Sequence, residues 1–187
     1  IYMAMKNIDD KEKALDALNK TMKSSDVLLA LINQILDMSR IESGMVELSE
    51  DKADMNRFGN NVRPMLEELA NDKQINFTFN IHDVADRYIY CDIVRVDEVL
   101  VNIISNAIKF TEKGSIFVRV TGRKCINNKY QLFISVRDQG IGISKQNLKR
   151  IFEAFEQVAY QNKGGTDLGL SISQSLVKLM GGNLKVY

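Results

Sequence analysis

The sequence predicts an α+β fold, a two-layer α/β sandwich with a mixed sheet covered by helices, preceded by a long helix of a dimeric four-helix bundle. Three observations lead to this prediction. Residues from about 10 to 43 repeat apolar side chains at alternating spacings of three and four. Four later segments alternate apolar and polar residues as strands do. Helical patterns follow each pair of strands, an order typical of helices packed on a sheet.

Composition sets the class of protein. The chain has 187 residues, 45% hydrophobic and 26% charged, which suits one ordinary domain or one domain with an appendage. The net charge of +1 argues against a nucleic-acid surface or a polybasic membrane patch. Cys91 and Cys125 are isolated, so reduced thiols in a cytoplasmic protein are expected. No run of 18 apolar residues occurs, and because we expect a fragment of a longer protein, tethering to the inner membrane stays open.

The first predicted helix runs from about Asp10 to Ser43, with Asp9 or Asp10 as its cap and Gly44 as its stop. It carries two adjacent apolar rows: Leu15, Leu18, Met22, Leu29, Ile32 and Leu36 in one, and Leu28, Leu31, Ile35 and Met38 in the other. One row would indicate a two-stranded coiled coil, whereas two indicate a four-helix bundle. With residues 1–7 as the tail of a preceding helix, a homodimer would complete the bundle; the alternative is a lone helix folded back on its own domain.

The remaining elements define a second domain. We place the boundary so that residues 1–45 form a partial helical domain and residues 46–187 form a second domain. A helix is predicted over Met55–Asp72, kinked by Pro64. His82, the single histidine, is predicted in a surface loop. The other predicted elements are strands over 75–81, 87–91, 115–122 and 130–138, a turn at Asn127–Asn128, a helix from Asp92 to Phe110, a short helical piece within LKRIFEAFEQ, and a final helix that Gly181 ends.

The predicted helix from Asp92 to Phe110 has two distinct faces. Its apolar arc consists of Ile93, Val96, Val99, Leu100, Ile103, Ile104, Ala107 and Phe110. Its polar row consists of Arg95, Glu98, Asn102, Asn106 and Lys109. Asparagine is a poor residue for a helix interior, so two of them one turn apart indicate a functional face. A solvated face is the alternative.

Two glycine-rich segments follow. Asp138-Gln139-Gly140-Ile141-Gly142 comes directly after a strand, where a carboxylate can accept a hydrogen bond from an exocyclic amino group such as that of adenine. Glycines there allow a ligand to approach the backbone. The segment from Gly164 to Leu170 opens a helix, an arrangement that commonly binds anions. There is no GxxxxGK[ST] motif and no protein-kinase catalytic loop.

Together these segments resemble the catalytic core of sensor histidine kinases of the hybrid type, in the GHKL superfamily. The resemblance rests on four motifs in order: DEVLVNIISNAIKFT (the N box), VRDQGIGIS (the first glycine box), IFEAFEQ (the phenylalanine box) and GGTDLGLSI (the second glycine box). SSDVLLALINQILDMSRIESGMVEL resembles the second dimerisation helix and its exit. The resemblance covers nearly the whole chain.

The resemblance implies ATP and Mg²⁺ as cofactors. Asn106 would ligate Mg²⁺ with Asn102 in support, and Lys109 would face the phosphates. Phe110 would line the adenine pocket, and Asp138 would accept the adenine amino group. The expected remaining contributors are Gly140 and Gly142 at one end of the ATP lid, Gly165 and Gly169 at its other end with Thr166 and Leu168 between them, and Phe152 and Phe155 as lid anchors. Implied partners are the receiver domain of a response regulator and a second copy of the chain.

The implied reaction is transfer of the ATP γ-phosphoryl group to a histidine on an upstream helix. Hydrolysing members of the same fold class carry a glutamate where this chain has Asn102, and an amide cannot act as a general base. Glu98 lies about 12 Å along the helix from Asn106. Slow hydrolysis is therefore expected. His82 lies in the wrong domain to accept phosphate, so the fragment should not phosphorylate itself.

One residue departs from the resemblance and supports a second hypothesis. Asp167 stands where the family usually has glycine. Its carboxylate either points away from the nucleotide or weakens ATP binding by repelling phosphates. In the latter case Asp167→Gly would tighten binding, and the protein could be a degenerate, nucleotide-binding signalling or scaffold module. A hydrolysing ATPase is a third hypothesis, against which Asn102 argues.

Overall fold

The computed structural model describes residues 2, 5, 10–84, 86–126, 129–148, 150–152 and 168–187, apart from the side chains of Val27 and Glu42. Contacts divide the chain into two compact units, residues 1–45 and 46–187. Each unit is described separately below.

The first unit contains one long helix, α1 (Lys11–Glu42). The carboxylate of Asp10 caps it by accepting a hydrogen bond from the Lys13 N–H at 3.1 Å. Gly44 follows with φ +67°, and the next N–H, that of Met45, returns to the Arg40 carbonyl at 3.0 Å. The predicted long helix is confirmed. Tyr2 and Met5 are helical, but most of residues 1–9 lie outside the described residues, so the preceding helix stays a prediction.

The described residues of the second unit form two sheets and three α-helices. Its strands are β1 (Asp51–Asp54), β2 (Asn76–Val84), β3 (Tyr88–Cys91), β4 (Ser115–Lys124) and β5 (Tyr130–Arg137). Its helices are α2 (Arg63–Asp72), α3 (Ile93–Phe110) and α4 (Gly169–Leu179). β2, β4 and β5 form a sheet in the order β2-β4-β5, parallel at the first junction and antiparallel at the second. β1 and β3 form a separate antiparallel pair. The predicted mixed sheet is confirmed.

The segment before α2 differs from the prediction. Instead of one helix over Met55–Asp72 with a kink, a 3-10 turn over Met55–Arg57 is followed by non-helical residues, and α2 begins at Arg63. Pro64 therefore lies in the first turn of α2, where its missing N–H leaves no helical hydrogen bond unmade. Gly59 interrupts the segment with φ +76°, and a Cβ there would lie 2.8 Å from the Phe79 ring. The prediction of a kinked helix was wrong because Pro64 begins the helix.

Three smaller points concern the position of His82, the strand β1 and the segment LKRIFEAFEQ. His82 is exposed as predicted but lies within β2 rather than in a loop. β1 was not predicted. Within LKRIFEAFEQ, only a 3-10 turn at Arg150–Phe152 is described, and Phe155 and the turn at Asn127–Asn128 lie outside the described residues.

The core of the second unit lies between the larger sheet and the helices α2 and α3. The buried side chains that form it include Leu66 and Ala70 of α2, Val96, Leu100, Ile104, Ala107 and Ile108 of α3, Phe79 of β2, and Ile116, Val118 and Val120 of β4. Because one face of α3 is fixed in this core, its polar row is turned away from the sheet.

Candidate functional site

The polar row of α3 lies at the boundary between the core and solvent. Its members, Arg95, Glu98, Asn102, Asn106 and Lys109, are all half-buried. A purely solvated face would leave such side chains exposed. The row is therefore partly enclosed by other parts of the unit.

Asn102 contacts the start of α4. Its side-chain amide donates to the Ser173 hydroxyl at 3.4 Å. A Cβ on Gly169 would lie 3.3 Å from the Asn102 Oδ1. Glycine at position 169 therefore lets the first turn of α4 approach the polar row, and Ser173 is a contact that sequence reasoning missed. Its signal, a small polar residue one turn after Gly169, is too common to be recognised.

Asn106 and Lys109 present free polar groups. Within the part of the chain that the structure describes, neither side chain has a hydrogen-bond or ion-pair partner. The Lys109 Nζ lies 4.9 Å from the centroid of the Phe110 ring, so the cation and the aromatic ring are neighbours. A half-buried ammonium and a half-buried amide oxygen are thus available to a ligand.

Glu98 is already engaged. Its carboxylate forms an ion pair with the Arg95 guanidinium at 2.8 Å, and both side chains are less than a third exposed. Glu98 lies two turns before Asn106 on the same helix, and its carboxylate is directed to Arg95. Glu98 is therefore poorly placed to activate a water molecule near Asn106.

The loop after β5 is held against the end of α3. The Asp138 Oδ1 accepts a hydrogen bond from the Gly140 N–H at 2.8 Å, and the Ile141 N–H donates to the Phe110 carbonyl at 3.4 Å. A Cβ on Gly140 would lie 2.6 Å from that same carbonyl oxygen. Only glycine fits this approach. The structure thus brings Phe110, Asp138 and Gly140 together, as the predicted adenine site requires.

Two further residues of this region were missed by sequence reasoning. The Thr111 side chain is fully buried, and its hydroxyl has no hydrogen-bond partner among the described residues. The Gln139 Oε1 accepts from the Ser115 N–H at 2.9 Å, and Gly114 beside it has φ +118°. Gln139 therefore ties the glycine-rich loop to the start of β4. A buried hydroxyl left unpaired next to a loop is a feature expected where a ligand or bound water completes the site.

The pKa values of Cys91 and Asp97, which lie just before and within the N-terminal part of α3, are shifted. Burial raises the pKa of the Asp97 carboxyl. Its Oδ1 is buried with no hydrogen-bond partner in the part of the chain that the structure describes, while the Asn61 amide donates to its Oδ2 at 3.4 Å. Burial, with the charges of Asp92, Asp97 and Glu50, raises the pKa of the Cys91 thiol to about 11. These groups lie at the start of α3 and so are separate from Asn106 and Lys109 along the helix.

The residues present fit ATP and Mg²⁺ by the chemistry of their donors. An amide oxygen at Asn106 is a hard ligand that suits Mg²⁺, and an ammonium at Lys109 suits phosphate. Glycine at position 140 lets the loop pack against the end of α3, because a Cβ there would lie 2.6 Å from the Phe110 carbonyl oxygen. Gly142 follows with φ +69°, a backbone conformation that favours glycine.

The second glycine box is described only at its end. Gly165, Thr166 and Asp167 lie outside the described residues, so their predicted roles are untested. Leu168 is buried, with 1% of the residue exposed. Gly169 begins α4 against Asn102.

Comparison with known proteins identifies the class. The family described as histidine kinase-, DNA gyrase B- and HSP90-like ATPase matches residues 91–187, more than half of the chain. The chain therefore belongs to this ATPase family.

Individual relatives narrow the comparison to histidine kinases. The chain is 38% identical over 176 residues to the signal transduction histidine-protein kinase BarA of Escherichia coli K12, covering 92% of this chain and 19% of that protein. It is 36% identical over 177 residues to the sensor histidine kinase GacS of Pseudomonas protegens, covering 93% of this chain and 19% of that protein. The resemblance to sensor histidine kinases is confirmed, and the chain spans about a fifth of the length of these relatives.

Solved structures support the same fold. Full-length ShkA in complex with AMPPNP superposes with a TM-score of 0.76 at 29% identity, covering 91% of this chain and 34% of that one. Histidine kinase ThkA in complex with the response regulator protein TrrA gives a TM-score of 0.66 at 24% identity, covering 96% of this chain and 48% of that one. Among the described residues, no helix has the length and apolar character needed to cross a membrane.

Proposed function

We propose that this chain is the ATP-binding catalytic core of a two-component sensor histidine kinase, which transfers the γ-phosphoryl group of ATP to a histidine outside these 187 residues. The observation that carries the proposal is the Asn106 amide and the Lys109 ammonium, which have no hydrogen-bond or ion-pair partner among the described residues and lie beside Phe110 and the loop of Asp138 and Gly140. Membership of the family and the similarity to histidine kinases support it.

The adenine base binds between Phe110 and Asp138. The Asp138 Oδ1 is occupied by the Gly140 N–H, so Oδ2 is left to accept the exocyclic amino group. Guanine has a carbonyl oxygen at the corresponding edge, and facing it would leave the carboxylate unpaired. The site should therefore prefer adenine nucleotides.

The phosphates bind along the end of the polar row. Asn106 supplies an oxygen ligand to the metal, and Lys109 places its charge beside the phosphate groups. Mg²⁺, when bound, supplies further neutralisation of charge on the phosphate oxygens. The helix start at Gly169, which contacts Asn102, brings backbone N–H groups to the same side of α3.

The same residues favour transfer over hydrolysis. The Asn102 amide cannot take a proton from water, and its nitrogen is directed to the Ser173 hydroxyl. Glu98 is paired with Arg95. ATP held without a general base keeps its γ-phosphoryl group until a stronger nucleophile, the imidazole of a histidine, arrives. Catalysis then depends mainly on positioning and charge stabilisation.

The first experiment measures nucleotide binding by titration calorimetry with Mg²⁺. We expect ADP and AMPPNP to bind the 187-residue chain and GDP to bind at least tenfold more weakly. Asn106→Ala and Asp138→Ala should each weaken ADP binding at least tenfold, whereas Asp16→Ala, on the exposed surface of α1, should not. Equal binding of ADP and GDP would contradict the role of Asp138.

The second experiment tests transfer. The chain is incubated with labelled ATP and Mg²⁺, alone and joined to a complete dimerisation domain that carries the acceptor histidine. We expect acid-labile phosphate only on the joined protein, because the single histidine here, His82, lies on β2 of the second unit and not on a dimerisation helix. ATP binding without transfer in the joined protein would favour the signalling or scaffold module, and rapid phosphate release would favour a hydrolysing ATPase.

The partners follow from the same proposal. We propose a response regulator receiver domain as the acceptor of the phosphoryl group; ThkA, a structural neighbour, is in complex with such a protein. A homodimer through the helical unit is also proposed, since α1 leaves Leu15, Leu29 and Leu36 half exposed or more along one row. The cytoplasmic location stays a prediction.

A further inference from the structure

The C-terminal end of α3 has an unusually complete set of partners for its carbonyl groups. The last four carbonyls of a helix have no partner within it and must find one elsewhere. The Ala107 carbonyl accepts from the Thr111 N–H at 3.0 Å, and the Phe110 carbonyl accepts from the Ile141 N–H at 3.4 Å. The Lys73 Nζ donates to the two between, those of Ile108 at 2.7 Å and Lys109 at 3.0 Å. No carbonyl of the final turn is left open.

Lys73 is suited to this position by charge as well as by its hydrogen bonds. It is the first residue after α2, so the packing of α2 places it near the end of α3. Its ammonium faces the negative end of the α3 dipole. No acidic side chain pairs with it among the described residues, so the helix end supplies the hydrogen-bond acceptors that the structure shows for its ammonium.

We propose that Lys73 is a positioning residue for the nucleotide site. It fixes the carbonyls of Ile108 and Lys109, and with them the backbone that aims the Lys109 ammonium and the Phe110 ring. Without Lys73, these two carbonyls form hydrogen bonds with water instead. The last turn of α3 then no longer has one fixed orientation. Asn106 lies one turn earlier, inside the regular helix, and keeps its place. This inference rests on the proposed function, because it assigns Lys73 a role in the same site.

The test compares ADP binding with Mg²⁺ for three variants of the chain. Lys73→Met should weaken ADP binding at least fivefold, and Lys73→Arg, which keeps a cationic donor, should remain within twofold of the parent chain. Lys129→Met removes an equal charge from an exposed position near the β4–β5 turn and should leave binding unchanged. Should Lys73→Met fail to fold, Lys73→Gln takes its place with the same expected loss.

A double-variant cycle separates positioning from simple stabilisation of the helix. If Lys73 acts through Lys109, Lys73→Met should cost much less ADP affinity in a Lys109→Met background than in the parent chain. An equal loss in both backgrounds, and again in a Phe110→Leu background, overturns the proposal. So does ADP binding within twofold of the parent combined with a lowered thermal midpoint, since that describes a helix cap alone. Failure of the parent chain itself to bind ADP would instead contradict the proposed function.

Discussion

The N-terminal and C-terminal ends of α3 are capped by different kinds of group. At its start, Asp92 is a local cap: its Oδ1 accepts from the Arg95 N–H at 3.1 Å, and its Oδ2 accepts from the Ser49 N–H at 3.1 Å. At its finish, Lys73 and Ile141 bring donors from two distant segments. The cap at the start is of a kind that could stabilise any helix. The finish joins the helix to the candidate site, so its geometry matters for binding as well as for stability.

The largest expected effect on stability comes from a substitution in the core, against which the middle of α3 packs. Ile104 is 0% exposed in the middle of α3. Ile104→Ala should lower the free energy of unfolding by about 2–5 kcal/mol, because it leaves a cavity against the sheet. Urea denaturation measures the change. Val94→Ala, at a position 68% exposed on the same helix, should stay within about 0.5 kcal/mol. An equal loss there would mean that the effect of Ile104→Ala does not come from its burial.

Gly140→Ala should disturb the finish of α3 selectively. A Cβ at this position would lie 2.6 Å from the Phe110 carbonyl, so the loop or the helix end must move. We expect a loss of about 1–3 kcal/mol in stability and at least tenfold weaker ADP binding. Ile141→Ala is the neighbouring control, since it keeps the backbone N–H and its side chain is 50% exposed. Unchanged ADP binding in Gly140→Ala would show that the contact with Phe110 does not shape the site.

Asp92→Ala should disturb only the start. Removal of the cap should cost about 0.5–2 kcal/mol of stability, because the N–H groups of Arg95 and Ser49 lose their acceptor. ADP binding to the folded protein should be unchanged. Asp92→Asn, which keeps an oxygen acceptor, should recover most of the loss in thermal unfolding. Weakened ADP binding in Asp92→Ala would mean that the two ends are coupled.

The smallest effect is expected from Asp97→Asn. Burial raises the folded-state pKa of Asp97 above its ordinary value of 3.8. Between the unfolded and folded pKa values the folded state binds more protons than the unfolded state, so this group's contribution to stability falls as the pH rises through that window. Asp97→Asn should therefore raise the unfolding midpoint at pH 7 and give no gain below pH 3.8. The exposed Asp16→Asn is the control; a gain there too would point to general charge effects.

Both ends of α3 were predicted from the sequence, and the cap at its start follows from a local rule, but the partners of its last carbonyls could not be predicted. Asp92 lies directly before the periodic segment, and a carboxylate there caps a helix by a local rule. Lys73 and Gln139 act on segments that are distant along the chain, and nothing in their local pattern indicates a target. Pro64 was misread for a similar reason. A proline can kink a helix or begin one, and only the turn at Gly59, packed on Phe79, decides between the two.

The fold and half of the candidate site followed from periodicity and motif order. In β2, β4, β5 and α3, one side of the element faces the core. The alternation of the strands and the two faces of the helix can therefore be recognised in the sequence. The resemblance implied that Phe110, Asp138 and Gly140 contribute to one site, and the structure places Gly140 against the Phe110 carbonyl. The contacts of Asn102 with Gly169 and Ser173 were not foreseen, because they depend on how α4 packs against α3.

The parallel pairing of β2 with β4 has a consequence for the order of folding. Residues 76–84 pair with residues 115–122, and α3 lies within the loop of chain that this pairing closes. Contacts between segments so distant along the chain form slowly, because the closure entropy of the loop opposes them. β4 begins just after the finish of α3, where Gln139 and the Asn76 N–H meet Ser115 and Gly114. We therefore expect the nucleotide site to be among the last parts of this unit to form and the first to be lost when β2 separates from the sheet.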